Sequence, residues 1–183
     1  MYGIDILYTE HENIVRFTDF IRELCAGMLS GKEADKALLR ECVDFMHEYA
    51  DEHHHGKEEA ILFQVMLEKL GPVAAKMINT GMLVEHNLGR YHVQSLREAV
   101  EAMGEEPAPL EKVDVVTHLL GYADLLRRHA QKENGVLFPF AAKNLSPEDM
   151  EKVNEATRAY EEEGAKNGMG KYVEWLDKVF PVQ

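Results

Sequence analysis

Four histidines and two glutamates recur along this chain in matched register. A shift of 75 residues carries Glu10-His11 onto Glu85-His86; it also carries His54, Lys57, Glu58, Leu62 and Phe63 onto His129, Lys132, Glu133, Leu137 and Phe138. The two histidines of each half stand 43 residues apart. A repeat of this kind implies two helix pairs related by pseudo-two-fold symmetry. His54 and Glu58, like His129 and Glu133, are four residues apart, which on a helix places both side chains on one face, one turn apart. His11 and His86 each add an imidazole from the preceding helix. The set contains no thiolate, so it suits iron, manganese or zinc better than copper(I) or an iron–sulfur cluster. Two carboxylates can bridge two cations. Each cation would then take two histidines and two bridging oxygens, with an oxide or hydroxide between the pair and about one open octahedral position apiece. The expected metal ligands are therefore His11, His54, Glu58, His86, His129 and Glu133. A water-facing histidine-rich surface is the competing account, and it leaves the shared register of all six unexplained.

The neighbours of these residues carry further expectations. Glu10 and Glu85 precede the single-histidine ligands and would either orient an imidazole as outer acceptors or stand in solvent. His47 and Tyr122 also correspond under the shift, each seven residues before its half's ligand histidine. That predicts an inward position two turns, or about 10 Å, from the cations. There they would line a pocket or proton path, or serve as hydrogen-bonded interior residues. His53 and His55 flank His54 at about 100° off the ligand face. The repeat selects His54 over His55, and both neighbours are expected in solvent. Lys57 and Lys132 are expected on the outer face. His92 falls off the ligand face, and His118 falls toward the bundle end.

Positioning these groups requires long helices. Apolar residues recur at three- and four-residue spacing almost throughout, and strand-like alternation is absent. The first helix is predicted from about Asp5 to Met28, ended by Ser30-Gly31-Lys32. The second is predicted from about Ala34 to Leu70, stopped by Gly71-Pro72. A short piece over Val73 to Ile78 is interrupted by Asn79-Thr80-Gly81, and a third long helix covers about Met82 to Met103. Pro107-Ala108-Pro109 forms the clearest loop. The fourth helix covers about Leu110 to Asn144. Ser146-Pro147-Glu148-Asp149 reads as a cap with proline and acids in the first turn, opening a helix to about Glu163. Tyr172 to Val179 closes the chain with Trp175 as anchor. This is an all-α pattern: an up-down-up-down four-helix bundle over about 5–144, with C-terminal helices over about 146–180 packed on it, in one domain spanning 1–183.

These residues resemble the hemerythrin family, in its hemerythrin-like branch known as the HHE cation-binding domain. The resemblance rests on Glu10-His11, on His54-His55-Gly56-Lys57-Glu58-Glu59 with Leu62-Phe63, on Glu85-His86-Asn87-Leu88-Gly89-Arg90, and on His129-Ala130-Gln131-Lys132-Glu133 with Leu137-Phe138-Pro139. It covers roughly residues 5 to 143. It implies a non-haem di-iron site with His11, His54, His86 and His129 as terminal ligands and Glu58 and Glu133 as bridges. Oxygen-carrying hemerythrins have a histidine where this chain has Arg90, and an aspartate five residues after the last ligand histidine where this chain has a glutamate four residues after it. The ligand set is nearer that of bacterial iron-centre repair proteins and of domains handling oxygen, nitric oxide or peroxide. The expected cofactor is two iron ions, oxo- or hydroxo-bridged, with manganese or zinc as alternatives. The expected function is binding or sensing oxygen, nitric oxide or a related redox molecule. A di-iron enzyme of peroxidase, oxidase or repair type, and a metal-storing or interaction bundle, are the alternatives.

Bulk properties narrow the rest. The chain has 183 residues, 45% hydrophobic and 29% charged, a globular composition. Its formal charge of −13 would repel a phosphate backbone or an anionic membrane, so neither is an expected partner. Cys25 and Cys42 are too few for a disulfide framework and are expected to pack as small apolar groups. No signal peptide or membrane-spanning run is expected, which gives a cytoplasmic location. No Ser-His-Asp, Cys-His or Gly-rich phosphate motif stands in a suitable context.

Overall fold

The computed structural model describes residues 1–33 and 35–181, and these form six helices and no strand. Helix α1 is Tyr2–Leu29. Helix α2, residues 36–69, runs α-helical over Lys36–Asp44, π-helical over Phe45–His55 and Glu58–Leu62, and α-helical again over Phe63–Lys69. Helix α3, residues 71–102, joins Gly71–Met77, a π turn at Ile78–Met82 and Leu83–Ala102. Helix α4, residues 109–144, joins Pro109–Lys132, a π turn at Glu133–Leu137 and Phe138–Asn144. Helices α5 (Pro147–Lys166) and α6 (Gly170–Val179) complete the chain.

Local chemistry sets the boundaries. Ala34, the expected start of the second helix, lies outside the described residues. The helix is seen from Lys36, and the Asp35 carboxylate accepts hydrogen bonds from the Ala37 and Leu38 amides. Gly71 takes φ +66°, a conformation that suits glycine, and separates α2 from α3. Asn79-Thr80-Gly81 does not break α3 as expected, because a π turn absorbs it. The Glu111 side chain accepts from the Ala108 amide at the start of α4, and Ser146 Oγ accepts from the Asp149 amide at the start of α5. Pro139 sits inside α4 directly after the π turn, where the loosened ladder accommodates a residue without an N–H.

Helix α4 packs against both α1 and α3, α2 packs against α3, and α5 lies across α1 and the π-helical stretch of α2. Two apolar clusters result. One gathers Ile14, Phe17, Phe45, Val93, Leu119 and Tyr122, with Trp175 of α6 packed on it. The other gathers Leu7, Leu62, Phe63, Met66, Leu137 and Phe138. Cys25 and Cys42 are buried free thiols in the first cluster, and burial pushes both pKa values up, Cys25 to about 11. No helix among the described residues is long and apolar enough to cross a membrane.

Candidate metal centre

Between the two apolar clusters lies a buried layer of His11, His54, His55, Glu58, His86, His129 and Glu133, each at most 2% exposed. All six residues expected from the sequence therefore meet there. They fall into two overlapping groups, His11, His54, Glu58 and Glu133 in one and His55, Glu58, His86 and His129 in the other. Within each group one donor atom per residue lies within 4.8 Å of the others.

Every imidazole is held from outside through Nδ1. His54 donates to Glu10 (2.9 Å) and His129 to Glu85 (3.0 Å). His11 donates to the Asn134 amide oxygen (2.6 Å) and His86 to Glu59 (2.7 Å). These partners obey the same 75-residue shift as the ligands: Glu10 with Glu85, Glu59 with Asn134. So do the rings' apolar supports, since His11 stacks on Phe138 at 5.3 Å and His86 on Phe63 at 5.8 Å. In the neutral form of each ring, Nδ1–H donation to oxygen selects the tautomer that presents an Nε2 lone pair inward.

The inward atoms lack partners. Nε2 of His11, His54 and His55 and all four carboxylate oxygens of Glu58 and Glu133 are buried without a hydrogen bond. Glu133 Oε2 lies 3.2 Å from His11 Nε2 and 3.1 Å from His129 Nε2 without hydrogen-bond alignment to either. Nε2 of His86 and His129 face each other at 3.2 Å. Leaving one buried polar atom unmet costs about 1–3 kcal/mol. A positive charge joining this cluster of seven would offset that cost. Burial disfavours charge on His129, yet the Glu133 and Glu85 carboxylates outweigh it and raise its pKa to about 10. Burial likewise opposes ionisation of Glu133, and His129 and His11 reverse it and hold the carboxyl well down. His55 goes the other way, since burial and the neighbouring His86 and His129 keep it neutral. The donor set thus fits cations of the imidazole–carboxylate class.

Helix winding aims these groups. The two π turns Glu58–Leu62 and Glu133–Leu137 obey the repeat, and each opens on a carboxylate of the cluster. Their extra width shows in the Phe63 amide donating back to Glu58 and the Phe138 amide to Glu133, five residues earlier.

Several expectations are corrected. His53 and His55 are buried at 6% and 2%, not solvated. The π winding over Phe45–His55 changes the angle between successive side chains, so both His54 and His55 face the cluster. His47 does not face inward. Its side chain is 37% exposed beside Glu48, because seven residues of π-helix make fewer than two full turns. Tyr122, on the α-helical part of α4, is buried as predicted. Glu10 is buried on His54 instead of solvated.

Lys57 is not an outer-face charge. Its ammonium group is bonded to Glu10, Glu161 and His53 Nε2, and its side chain is 1% exposed. It occupies the place a cation would otherwise take among Glu10, His53 and Glu161. Lys132, bonded to Glu85, is 49% exposed as expected. His92 and His118 meet each other at 3.3 Å between their Nδ1 atoms, outside the cluster. Sequence reasoning missed Glu161 and Asn134, and Glu161 had no signal there. The position of Asn134, one residue after Glu133 as Glu59 follows Glu58, was available to find it.

The sequence profile described as the hemerythrin HHE cation-binding domain matches residues 2–141. Neither the curated proteins nor the solved structures returned a match.

Proposed function

Because the chain belongs to the hemerythrin HHE cation-binding family, we propose that it holds two iron ions in this layer and binds oxygen, nitric oxide or a related small redox molecule. The carrying observation is the set of seven buried, unpartnered donor atoms on His11, His54, His55, Glu58 and Glu133. His11 and His54 would hold one ion and His86 and His129 the other, with Glu58 and Glu133 shared between them. An iron pair there supplies one-electron redox chemistry and Lewis acidity toward a small ligand. The protein's own share is to hold five imidazoles through their outer acceptors and to exclude bulk water with the two apolar clusters. The bundle reads as a single domain with its four long helices running up and down in turn.

Anaerobically reduced, iron-loaded protein exposed to air should develop the near-ultraviolet bands of a bridged ferric pair. A colourless protein that takes up about one zinc and little iron would favour a structural or storage role and end this reading.

A further inference from the structure

The two halves supply four imidazoles by repetition, and a fifth stands outside the repeat. His55 corresponds under the 75-residue shift to Ala130, so only one side of the cluster receives it. Its Nδ1 donates to Asp51 Oδ1 at 3.1 Å. Arg90 grips that carboxylate, with Nε 3.0 Å from Asp51 Oδ2 and an Nη 2.8 Å from Oδ1. The same guanidinium reaches Glu59 at 2.8 Å, and Glu59 in turn holds His86. One arginine thereby fixes the outer partners of two imidazoles. Their rings stack in parallel, with centroids 3.9 Å apart and planes 12° off. The remaining atom, His55 Nε2, is buried, unpartnered and directed at the group containing Glu58, His86 and His129. A histidine kept only for packing would have no need of an outer acceptor that is itself clamped, nor of a bare inward lone pair.

We propose that His55 is a metal ligand, the third imidazole of the His86–His129 position, and that the two metal positions are therefore unequal. The His11–His54 position has two imidazoles and the same shared carboxylates, one protein donor fewer. Arg90 and Asp51 are positioning residues for this arrangement. The inference rests on the two-cation reading above.

The test compares full-length wild type, His55→Ala, His55→Gln and the control His118→Ala outside the cluster, each titrated anaerobically with ferrous iron enriched in the Mössbauer isotope. Wild type and control should bind two irons and show two quadrupole doublets of equal area. In both His55 variants the second iron should bind at least about 100-fold more weakly, and one doublet should shift. Millimolar imidazole should restore the wild-type affinity and doublet in His55→Ala, which a merely structural role would not produce. If His55→Ala fails to fold, the volume-conserving His55→Gln carries the same comparison. Two irons bound with unchanged affinity and spectrum in the variants, or a weakened His55→Ala that ignores imidazole, overturns the inference alone. A wild type that takes up no second iron overturns the two-cation reading itself.

Discussion

The two halves of the metal layer share ligands, outer acceptors and π turns, yet they treat one lysine in opposite ways. Lys57 is sealed at 1% exposure among Glu10, His53 and Glu161, while its counterpart Lys132 meets Glu85 at 49% exposure. The difference comes from α5, whose Glu161 closes over Lys57 and has no counterpart at Lys132. Glycines allow its close approach to α2. A Cβ at Gly164 would stand 2.6 Å from His53 Cε1, and one at Gly56 would stand 2.6 Å from the Tyr160 hydroxyl. Tyr160 then donates to the Glu52 carbonyl at 2.8 Å. Repetition in the sequence thus fixes what each half offers a cation, and the element laid over it decides how dry that offer is.

The comparison breaks first at the shared carboxylates. Glu133→Ala or Glu58→Ala should weaken uptake at both positions, with elemental analysis reading well under two irons per chain. Retention of one iron at full affinity would show that the halves act separately. Next comes the lysine pair. Lys57→Met strands the buried Glu10 and the half-buried Glu161 and should cost about 3–5 kcal/mol in urea unfolding of the metal-free chain. Lys132→Met should cost about 0–1 kcal/mol, and equal losses would refute the claim that α5 makes the difference. Gly164→Ala, which forces α5 off His53, should cost about 1–3 kcal/mol by overpacking. Its calorimetric midpoint should fall while Gly135→Ala, with open space around its Cβ, barely moves.

The smallest effect concerns pH. In the metal-free chain the pKa of His129 is raised from 6.5 to about 10. Its protonated form therefore stabilises the fold fully below pH 6.5, and that contribution fades as pH rises toward 10. Melting curves across that window should fall less steeply for His129→Gln. Metal ions compete with protons for the same nitrogen, so iron uptake should release protons and weaken in acid.

The buried histidine–glutamate set was legible because it is repeated. His11, His54, Glu58, His86, His129 and Glu133 could be read from spacing alone, and their helices followed from apolar periodicity. His55 was not, because its counterpart is Ala130 and an α-helical wheel turns it off the face. His47 misled for the same reason in reverse, since the wheel assumed α winding where Phe45–His55 is π-helical. Tyr122, on regular α-helix, followed the wheel. The burial of Lys57 lay beyond reach of any local pattern. It depends on Glu161, 104 residues away.

The paired π turns carry a consequence for the helices that contain them. Each lodges a surplus residue, so the oily stripe before Glu58 and the one after Leu62 are rotated against each other, as are those on either side of Glu133–Leu137. The offset is greater in α2, which carries two π stretches. No single wheel drawing fits either helix end to end. Excising one residue from such a turn would swing everything beyond it by about 100°, pulling Phe63 or Phe138 from beneath its imidazole. These stretches should tolerate exchange of side chains far better than any change in their length.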